Sequence, residues 1–297
     1  MSSQPLGCLV TFPSSRGLLL DGILYHRPGH QTIILHVHGS LGNFYQNQFV
    51  RVMAQKYADA GMSFLSFNLA NHDGVAEGYK KGDEFLYVGG SVADFGECVS
   101  DIQGAIDFAR DLAPRIILQG HSLGCDRVLH FLVSTSAEYD FVLLAPCDSY
   151  ELQRRWIAPE TVEEQISRLK ADAGTTAEAL DWLPAREYGI SQGDGWVYPI
   201  PVTRKALLSI MEGPVFKLIR IEHPARFWIK QNAFIYIGGF DALQTAASDK
   251  VFDYFEKRTK HVTRSFVREG DHMLRGCEDV VAEGIVDWIN VLSRSGE

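Results

Sequence analysis

Short apolar segments alternate with longer amphipathic segments along most of this chain. The apolar segments have the length of buried strands and are bounded by turn-forming residues. The predicted strands cover residues 8–12, 18–26, 32–38, 63–70, 115–119, 141–146, 232–239 and 261–267. Between them, helical spacing of apolar residues predicts helices over residues 47–60, 92–113, 123–135, 245–259 and 278–293. This order predicts a mostly parallel sheet covered by helices on both faces, with an antiparallel hairpin at one edge.

The regular alternation stops between residues 150 and 224, a segment rich in charge, Trp and Pro. Helical spacing returns there only near residues 160–171, 175–183 and 203–212. Because the segment follows the sixth predicted strand, we expect it above the carboxyl ends of the strands, where open α/β sheets bind ligands. We therefore predict a core formed by residues 1–149 and 225–297, with residues 150–224 as a small helical lid.

The composition favours a globular protein and argues against nucleic-acid and membrane partners. The chain has 297 residues, of which 46% are apolar and 22% are charged, as expected of a globular protein. A formal net charge of −9 without a basic cluster predicts no nucleic-acid partner. The first residues lack a signal-peptide pattern, and no apolar stretch reaches the roughly 18 residues of a membrane span. We therefore expect a cytoplasmic protein that has no membrane partner.

Residues 120–124 read GHSLG and place a serine between two glycines. The pattern lies between the predicted strand 115–119 and the predicted helix 123–135, as a nucleophile elbow requires. In such a turn the serine takes a strained backbone conformation, and small flanking residues let strand and helix approach closely. The alternative is an ordinary turn with a serine that caps a helix. We predict that Ser122 is a nucleophile.

A serine hydroxyl needs a base to remove its proton, and the base needs a carboxylate to orient it. His272 follows the last predicted strand, so its imidazole is expected over the same edge of the sheet as Ser122. Asp241 follows the strand before, and Asp148 follows the strand at 141–146. Asp241 is favoured because it gives the chain order Ser, Asp, His, although an aspartate there could also cap a helix.

The loop after the third predicted strand reads GSLGN and is expected to help bind an oxyanion. Attack of a serine on a carbonyl creates an oxyanion that two oriented N–H groups must stabilise. One is expected from the backbone of Leu123. The second is expected from Ser40, which is narrowly favoured over Leu41.

A largely apolar or aromatic acyl pocket is expected next to these groups. Leu41 is part of the expected oxyanion loop, Phe44 and Tyr45 lie beside it in sequence, and the insertion contributes aromatic side chains. Those favoured as substrate contacts are Trp182, Trp196 and Tyr198, although most aromatic residues of a lid serve its own packing. The segment 190–199 contains two glycines and is predicted to be a mobile edge of the lid. A covered site of this kind favours a small or medium-sized substrate.

Metal and disulfide chemistry are not indicated. The five cysteines are widely spaced and odd in number, which predicts no disulfide framework and no zinc site. His36 and His38 could form a metal pair with residues 72–73, but His38 ends a predicted strand beside the oxyanion loop, where a positioning role is favoured. Cys125 and Cys147 are expected to pack rather than react. The sequence predicts no metal and no cofactor.

These motifs together resemble those of the α/β-hydrolase superfamily, over nearly the whole chain. The resemblance rests on the first hairpin, the His38-Gly39 loop, the GHSLG turn, the insertion, and residues 238–241 (GGFD) and 270–272 (GDH). It implies an α/β-hydrolase fold with an eight-stranded sheet and a helical cap, and a triad of Ser122, His272 and Asp241. One departure is the sequence NLANHDG at residues 68–74, where relatives often carry an Arg-Gly-His-Gly-like turn.

The leading functional hypothesis is a serine hydrolase that acts on an ester, thioester or lactone of a small molecule. A serine at position 122 excludes the branches of the superfamily that use an aspartate nucleophile. Two alternatives remain: an acyltransferase or thioesterase that uses the same triad, and a ligand-binding receptor on the same scaffold. The sequence indicates neither a monomer nor an oligomer.

Overall fold

The computed structural model describes residues 7–171, 182–183, 189–192, 196–199, 201–223 and 227–295. The strands are β1 (Cys8–Pro13), β2 (Leu19–Tyr25), β3 (Thr32–Val37), β4 (Ser63–Phe67), β5 (Ala76–Lys80), β6 (Glu84–Val88), β7 (Arg115–His121), β8 (Phe141–Leu144), β9 (Gly189–Gln192), β10 (Trp196–Pro199), β11 (Ile229–Gly238) and β12 (Thr259–Val267). The helices are α1 (Gln48–Asp59), α2 (Cys98–Ala109), α3 (Leu123–Thr135), α4 (Ser149–Ile157), α5 (Val162–Ala171), α6 (Arg204–Met211), α7 (Val215–Leu218), α8 (Ser248–Glu256) and α9 (Glu278–Ser295).

Eight of these strands form one sheet in the order β1-β2-β4-β3-β7-β8-β11-β12. β1 pairs antiparallel with β2, and β2 pairs antiparallel with β4. Every other pairing in the sheet is parallel. The predicted eight-stranded, mostly parallel sheet is therefore confirmed, and so is its antiparallel hairpin at one edge. Because these strands run parallel, the carboxyl ends of β3, β7, β11 and β12 all lie on the same side of the molecule.

Helices cover both faces of this sheet, and β3 shows how one strand supports both layers. All six of its residues are buried. Ile33 and Leu35 belong to the apolar cluster that contains residues of α2, α3 and α8, whereas Ile34 belongs to the cluster of α1 and α9. This alternation follows from the two-residue period of a strand, and burial on both faces explains the uninterrupted apolar run in the sequence.

Two of the local features that differ from the sequence prediction lie between β4 and β7. The hairpin of β5 and β6 was not predicted. β5 reads AEGYK, in which two charged residues and a glycine give no strand pattern, and β6 is only five residues long. The predicted helix at 92–113 is too long at both ends. Asp94 accepts a hydrogen bond from the Gly96 N–H and starts a short 3₁₀ turn before α2. At the other end, Pro114 disfavours helical backbone in the residue that precedes it.

The insertion contains the helices α4 to α7 and the antiparallel hairpin of β9 and β10. The predicted helical segments at 160–171 and 203–212 correspond to α5 and α6. The predicted segment at 175–183 falls mostly outside the described residues, as do residues 193–195 of the predicted mobile edge. The division of the chain into a core and a lid stays a prediction. Within the described ranges, no helix combines the length and apolar character needed to cross a bilayer.

Two glycines allow α3 to start directly above the end of β7. A Cβ on Gly120 would overlap the carbonyl oxygen of Gly124, and a Cβ on Gly124 would overlap the carbonyl oxygen of Val37. The turn between the strand and the helix is therefore packed backbone against backbone, and neither position has room for a side chain.

Replacing Gly124 with Ala should destabilise the protein, because the new methyl group must displace the backbone of β3. We expect Gly124→Ala to lower the free energy of unfolding by about 2 kcal/mol, the usual cost of overpacking. Urea denaturation measures this change. Gly74→Ala is the matched control, since a Cβ there would lie at an ordinary distance of 3.7 Å from Ser91 Oγ. Equal stability of the two variants would contradict the close contact.

Candidate active site

Ser122 lies in the turn between β7 and α3 with a backbone φ of 54° and ψ of −126°. A positive φ is unusual for a residue with a side chain and persists only where the surroundings hold it. The Ser122 N–H donates to the Leu144 carbonyl oxygen at 3.0 Å, and its own carbonyl accepts from the Cys125 N–H at 2.8 Å. These bonds and the glycine contacts hold the strained turn in place.

Ser122, His272 and Asp241 form a hydrogen-bonded series across the sheet edge. The Ser122 Oγ lies 2.9 Å from His272 Nε2. His272 Nδ1 lies 3.1 Å from Asp241 Oδ1 and 3.0 Å from Oδ2. Because the carboxylate accepts the proton on Nδ1, Nε2 is left as the acceptor for the serine hydroxyl. The Asp241 side chain is fully buried, so its hydrogen bond to His272 is shielded from water.

The two candidate aspartates occupy different environments. Asp241 accepts the Leu243 N–H at 2.9 Å, which turns its carboxylate toward His272. Asp148 caps α4 instead, where it accepts the N–H groups of Glu151 and Ile221, both at 3.0 Å. Burial raises the pKa of Asp148, although those two bonds oppose the shift. The carboxylate in contact with His272 is therefore that of Asp241.

A second histidine, His121, forms a hydrogen bond between the turn that contains Ser122 and the loop that carries His272. His121 Nε2 donates to the His272 carbonyl oxygen at 2.7 Å. Burial, followed by the neighbouring His272, holds the pKa of His121 well below its usual range, so the ring is neutral. Tyr236 supports the same loop by donating its hydroxyl to the Asp271 carbonyl at 3.2 Å. Sequence reasoning assigned a role to neither residue, although His121 stands next to Ser122 in the GHSLG motif.

The loop that follows β3 is held rigidly by side chains of the segment 68–74. Asn43 donates to Asp73 Oδ1 at 2.8 Å, and its own Oδ1 accepts the Gln46 N–H at 2.9 Å. Asn68 Oδ1 accepts the Phe44 N–H at 3.0 Å. The segment 68–74, in which the sequence departs from the superfamily pattern, thus supports the oxyanion loop.

The candidate oxyanion donors are Ser40, Leu41 and Leu123. Within the described part of the chain, the backbone N–H groups of these three residues take part in no hydrogen bond. Leu41 has a φ of 50°, so the loop is strained next to the nucleophile. The arrangement leaves free N–H groups beside Ser122, as binding of an oxyanion requires.

A cavity of about 410 Å³ opens above Ser122 and His272. Its lining combines backbone of the oxyanion loop with apolar and amide side chains: Gly39, Ser40, Leu41, Gly42, Gln46, Asn47, His121, Ser122, Phe240, Ala242, Leu243, Asp271, His272, Met273 and Arg275. The apolar wall comes from the loops that carry Asp241 and His272, which the sequence analysis did not assign to the pocket. These positions lie next to Asp241 and His272 in sequence, and that proximity is the signal by which the sequence could have indicated them.

Of the predicted substrate contacts whose side chains the structure describes, one lines this cavity and three do not. Leu41 lines it, whereas Phe44, Tyr45 and Trp182 do not. The rings of Phe44 and Tyr45 pack against each other with centroids 5.1 Å apart, and Tyr45 is 62% exposed. Trp182 pairs with Thr203 in a short β-bridge. The side chains of Trp196 and Tyr198 lie outside the described part of the chain.

His36 of β3 and His38, which follows the strand, form hydrogen bonds with the protein. His36 is within 3.0 Å of the Gln119 side-chain nitrogen, which donates to its Nδ1. His38 Nδ1 donates to the Gly39 carbonyl at 2.9 Å, and its Nε2 accepts the Leu69 N–H at 3.2 Å. Among the residues that the structure describes, no group of three or more potential ligands surrounds a metal position. Both ring nitrogens of His38 thus have partners within the protein, and a positioning role for His38 stays a prediction.

Cys125 and Cys147 are fully enclosed in protein. The Cys125 thiol lies 3.3 Å from the Gly120 carbonyl oxygen. Burial raises the pKa of both thiols well above the usual range, which keeps them protonated and unreactive.

Comparison with known proteins supports the fold through structure and not through sequence. No family model and no curated protein matches the chain. Est1E from Butyrivibrio proteoclasticus, solved with ferulic acid bound, is 14% identical with a TM-score of 0.63, covering 97% of this chain and 100% of that chain. Mouse alpha/beta hydrolase domain-containing protein 10 is 16% identical with a TM-score of 0.59, covering 98% and 100%. The chain has the α/β-hydrolase fold.

A third structural neighbour is an esterase from Pyrococcus furiosus. It is 13% identical with a TM-score of 0.58, and the alignment covers 96% of this chain and 90% of that chain. In this α/β-hydrolase fold the turn after β7, the loop after β11 and the loop after β12 carry Ser122, Asp241 and His272.

Replacing His36 with Gln should make the fold less sensitive to acid. Burial lowers the pKa of His36 to about 3, so the folded protein keeps the ring neutral. An unfolded chain binds a proton there below a pH of about 6.5, so this group destabilises the fold progressively as the pH falls toward 3. Between pH 6 and pH 5, we expect the wild type to lose about 1 kcal/mol more unfolding free energy than the variant. Urea titrations at both values test this, and equal losses would contradict it.

Proposed function

We propose that this protein is a serine hydrolase that cleaves esters of small to medium-sized, largely apolar acyl groups through an acyl-enzyme on Ser122. The observation that carries the proposal is the hydrogen-bonded series from Ser122 Oγ to His272 and Asp241 at the floor of a cavity. The structural neighbours that are named as esterases support ester hydrolysis at the level of reaction class.

In the proposed reaction, His272 Nε2 takes the proton from Ser122 Oγ as the oxygen attacks the substrate carbonyl. The negative charge that forms on the carbonyl oxygen is stabilised by the N–H groups of Leu123 and Ser40. Asp241 stabilises the protonated imidazole, which then donates its proton to the leaving alcohol. In the second half, His272 activates water, and water releases the acyl group from Ser122.

The cavity indicates the size and character of the acyl group. A volume of about 410 Å³ is at the small end of ligand pockets. Phe240, Leu243 and Met273 give it an apolar wall, while Gln46 and Asn47 add amide groups on the lining. Est1E, which shares the fold, binds the aromatic acid ferulic acid, and an aromatic acyl group would suit the same kind of wall. Thioesters and lactones undergo the same acyl transfer and are tested alongside esters.

Replacing Ser122 with Ala should abolish turnover without unfolding the protein. We expect turnover of short p-nitrophenyl esters to fall by about 10⁴-fold or more, because the nucleophile is lost. A fluorophosphonate probe should add once to the wild type and not to Ser122→Ala, as read from the intact-protein mass. Ser134→Ala, on the exposed end of α3, is the control and should keep the adduct.

An adduct that persists in Ser122→Ala, or unchanged turnover in that variant, would overturn the assignment of the nucleophile. Product analysis with added alcohols or amines then separates hydrolysis from acyl transfer. Free acid as the main product supports a hydrolase, whereas preferential capture of the acyl group by one acceptor would identify an acyltransferase. Tight binding of substrate with no turnover would favour a receptor.

His121→Ala should impair catalysis by loosening the loop that holds the base. The variant loses the hydrogen bond from His121 Nε2 to the His272 carbonyl, so His272 is no longer fixed at its distance from Ser122. We expect kcat to fall about 10-fold or more with a smaller change in KM, since misplacement of a reacting group is costly. His121→Gln retains an N–H donor and should recover part of the loss. Wild-type kcat in His121→Ala would show that the contact is dispensable.

A further inference from the structure

A buried arginine lies directly behind the oxyanion loop. Arg127 is on α3 and is only 1% exposed. Its NH1 donates to the His38 carbonyl oxygen at 2.8 Å and to the Gly39 carbonyl oxygen at 3.1 Å. We propose that Arg127 is a positioning residue that orients the Gly39–Ser40 peptide, so that the Ser40 N–H becomes the second oxyanion donor. This inference rests on the proposed serine-hydrolase function.

The planarity of the peptide bond links the arginine to the donor. The Gly39 carbonyl and the Ser40 N–H belong to one trans peptide unit, in which C=O and N–H point in opposite directions. The Gly39 oxygen accepts hydrogen bonds from Arg127, from His38 Nδ1 at 2.9 Å and from the Gly42 N–H at 3.2 Å. Three donors on one side of the peptide therefore fix the direction of the Ser40 N–H on the other side.

The free side of this peptide faces the candidate active site. Ser40 lines the cavity, and a Cβ on Gly39 would lie 2.9 Å from the Ser122 Cβ, so the peptide packs against the nucleophile itself. The Ser40–Leu41 peptide lacks comparable support, since the Ser40 carbonyl accepts no hydrogen bond from the described residues. This difference favours the N–H of Ser40 over that of Leu41 as the fixed donor.

The charge of Arg127 adds to its geometric effect. A guanidinium stays protonated in proteins, and a charge acts more strongly in a buried site than in water. Burial and the neighbouring Arg127 hold the pKa of His38 well below its usual range, so His38 stays neutral and adds no second charge. The cation draws electron density toward the Gly39 oxygen and makes the Ser40 N–H a better donor. Arg127 thus acts through a peptide, without touching the substrate.

Three variants and a transition-state analogue test this role. Arg127→Met removes the charge and the donors, whereas Arg127→Lys keeps the charge. Arg258→Met is the matched control, because Arg258 is also buried and donates to a backbone carbonyl, that of Tyr254 at 2.7 Å. Arg258 precedes β12 and so lies at the amino ends of the parallel strands, whereas Ser122 lies at their carboxyl ends. Turnover of a p-nitrophenyl ester is normalised to the fraction of protein that a fluorophosphonate labels at completion.

We expect kcat per labelled site to fall about 10- to 100-fold in Arg127→Met with little change in KM, a loss at or below that of one oxyanion donor. The inhibition constant of a trifluoromethyl ketone, whose adduct carries the oxyanion, should rise by the same factor as kcat/KM falls. Arg127→Lys should recover part of both losses. The Arg258→Met control should keep the wild-type kcat even if its melting temperature drops.

Wild-type kcat per labelled site and wild-type ketone affinity in folded Arg127→Met would overturn the inference. A smaller labelled fraction with unchanged kcat per site would also overturn it, because Arg127 would then only support folding. If the wild type neither reacts with the fluorophosphonate nor hydrolyses esters, that result contradicts the proposed serine-hydrolase function itself. The Arg127 inference, which rests on that function, then falls with it.

A crystal structure of the wild-type ketone adduct decides the matter if Arg127→Met does not fold. The inference expects the adduct oxygen about 3 Å from the N–H groups of Ser40 and Leu123, with Arg127 still bound to the Gly39 carbonyl. An oxygen bound by the Leu41 N–H, or a Gly39–Ser40 peptide turned the other way, would overturn it.

Discussion

The contact between the start of α3 and the end of β3 is the constraint on which the rest of the site depends. Gly124 packs on the Val37 carbonyl, and Gly39 packs on the Cβ of Ser122 and on the His121 carbonyl, so the turn of Ser122 and the loop after β3 lie in direct contact. The positive φ of Ser122 and the strained Leu41 can persist because both segments are held on each side.

The other two loops of the site are attached to this rigid centre by hydrogen bonds between loops. The Phe240 N–H donates to the Gly270 carbonyl at 2.9 Å, which joins the loop that carries Asp241 to the loop that carries His272. His121 then joins the loop that carries His272 to the turn of Ser122. Contacts between backbone groups and one histidine side chain thus hold the three candidate groups in place, and such preorganisation is what electrostatic catalysis requires.

Burial determines which ionisable groups beneath the oxyanion loop are charged. It keeps His36 and His38 neutral, and it raises the pKa of Asp101 to about 7. The Asp101 carboxyl accepts the Ala70 N–H at 2.8 Å and so supports the segment 68–74 that holds the loop. Among these groups Arg127 keeps its proton, which makes it the natural source of positive charge beside the Gly39–Ser40 peptide.

The sequence by itself determined the sheet and the three side chains that meet at its edge. Apolar runs with a period of two or 3.6 residues reflect burial of each element against its neighbours, and that signal is local. Ser122, Asp241 and His272 each follow a predicted strand, and parallel strands bring such positions together. The tertiary structure alone decided what surrounds them. Arg127 contacts a carbonyl 89 positions away, and His121 contacts one 151 positions away. Neither contact leaves a periodic or compositional trace, because only the folded backbone brings those atoms within hydrogen-bonding distance.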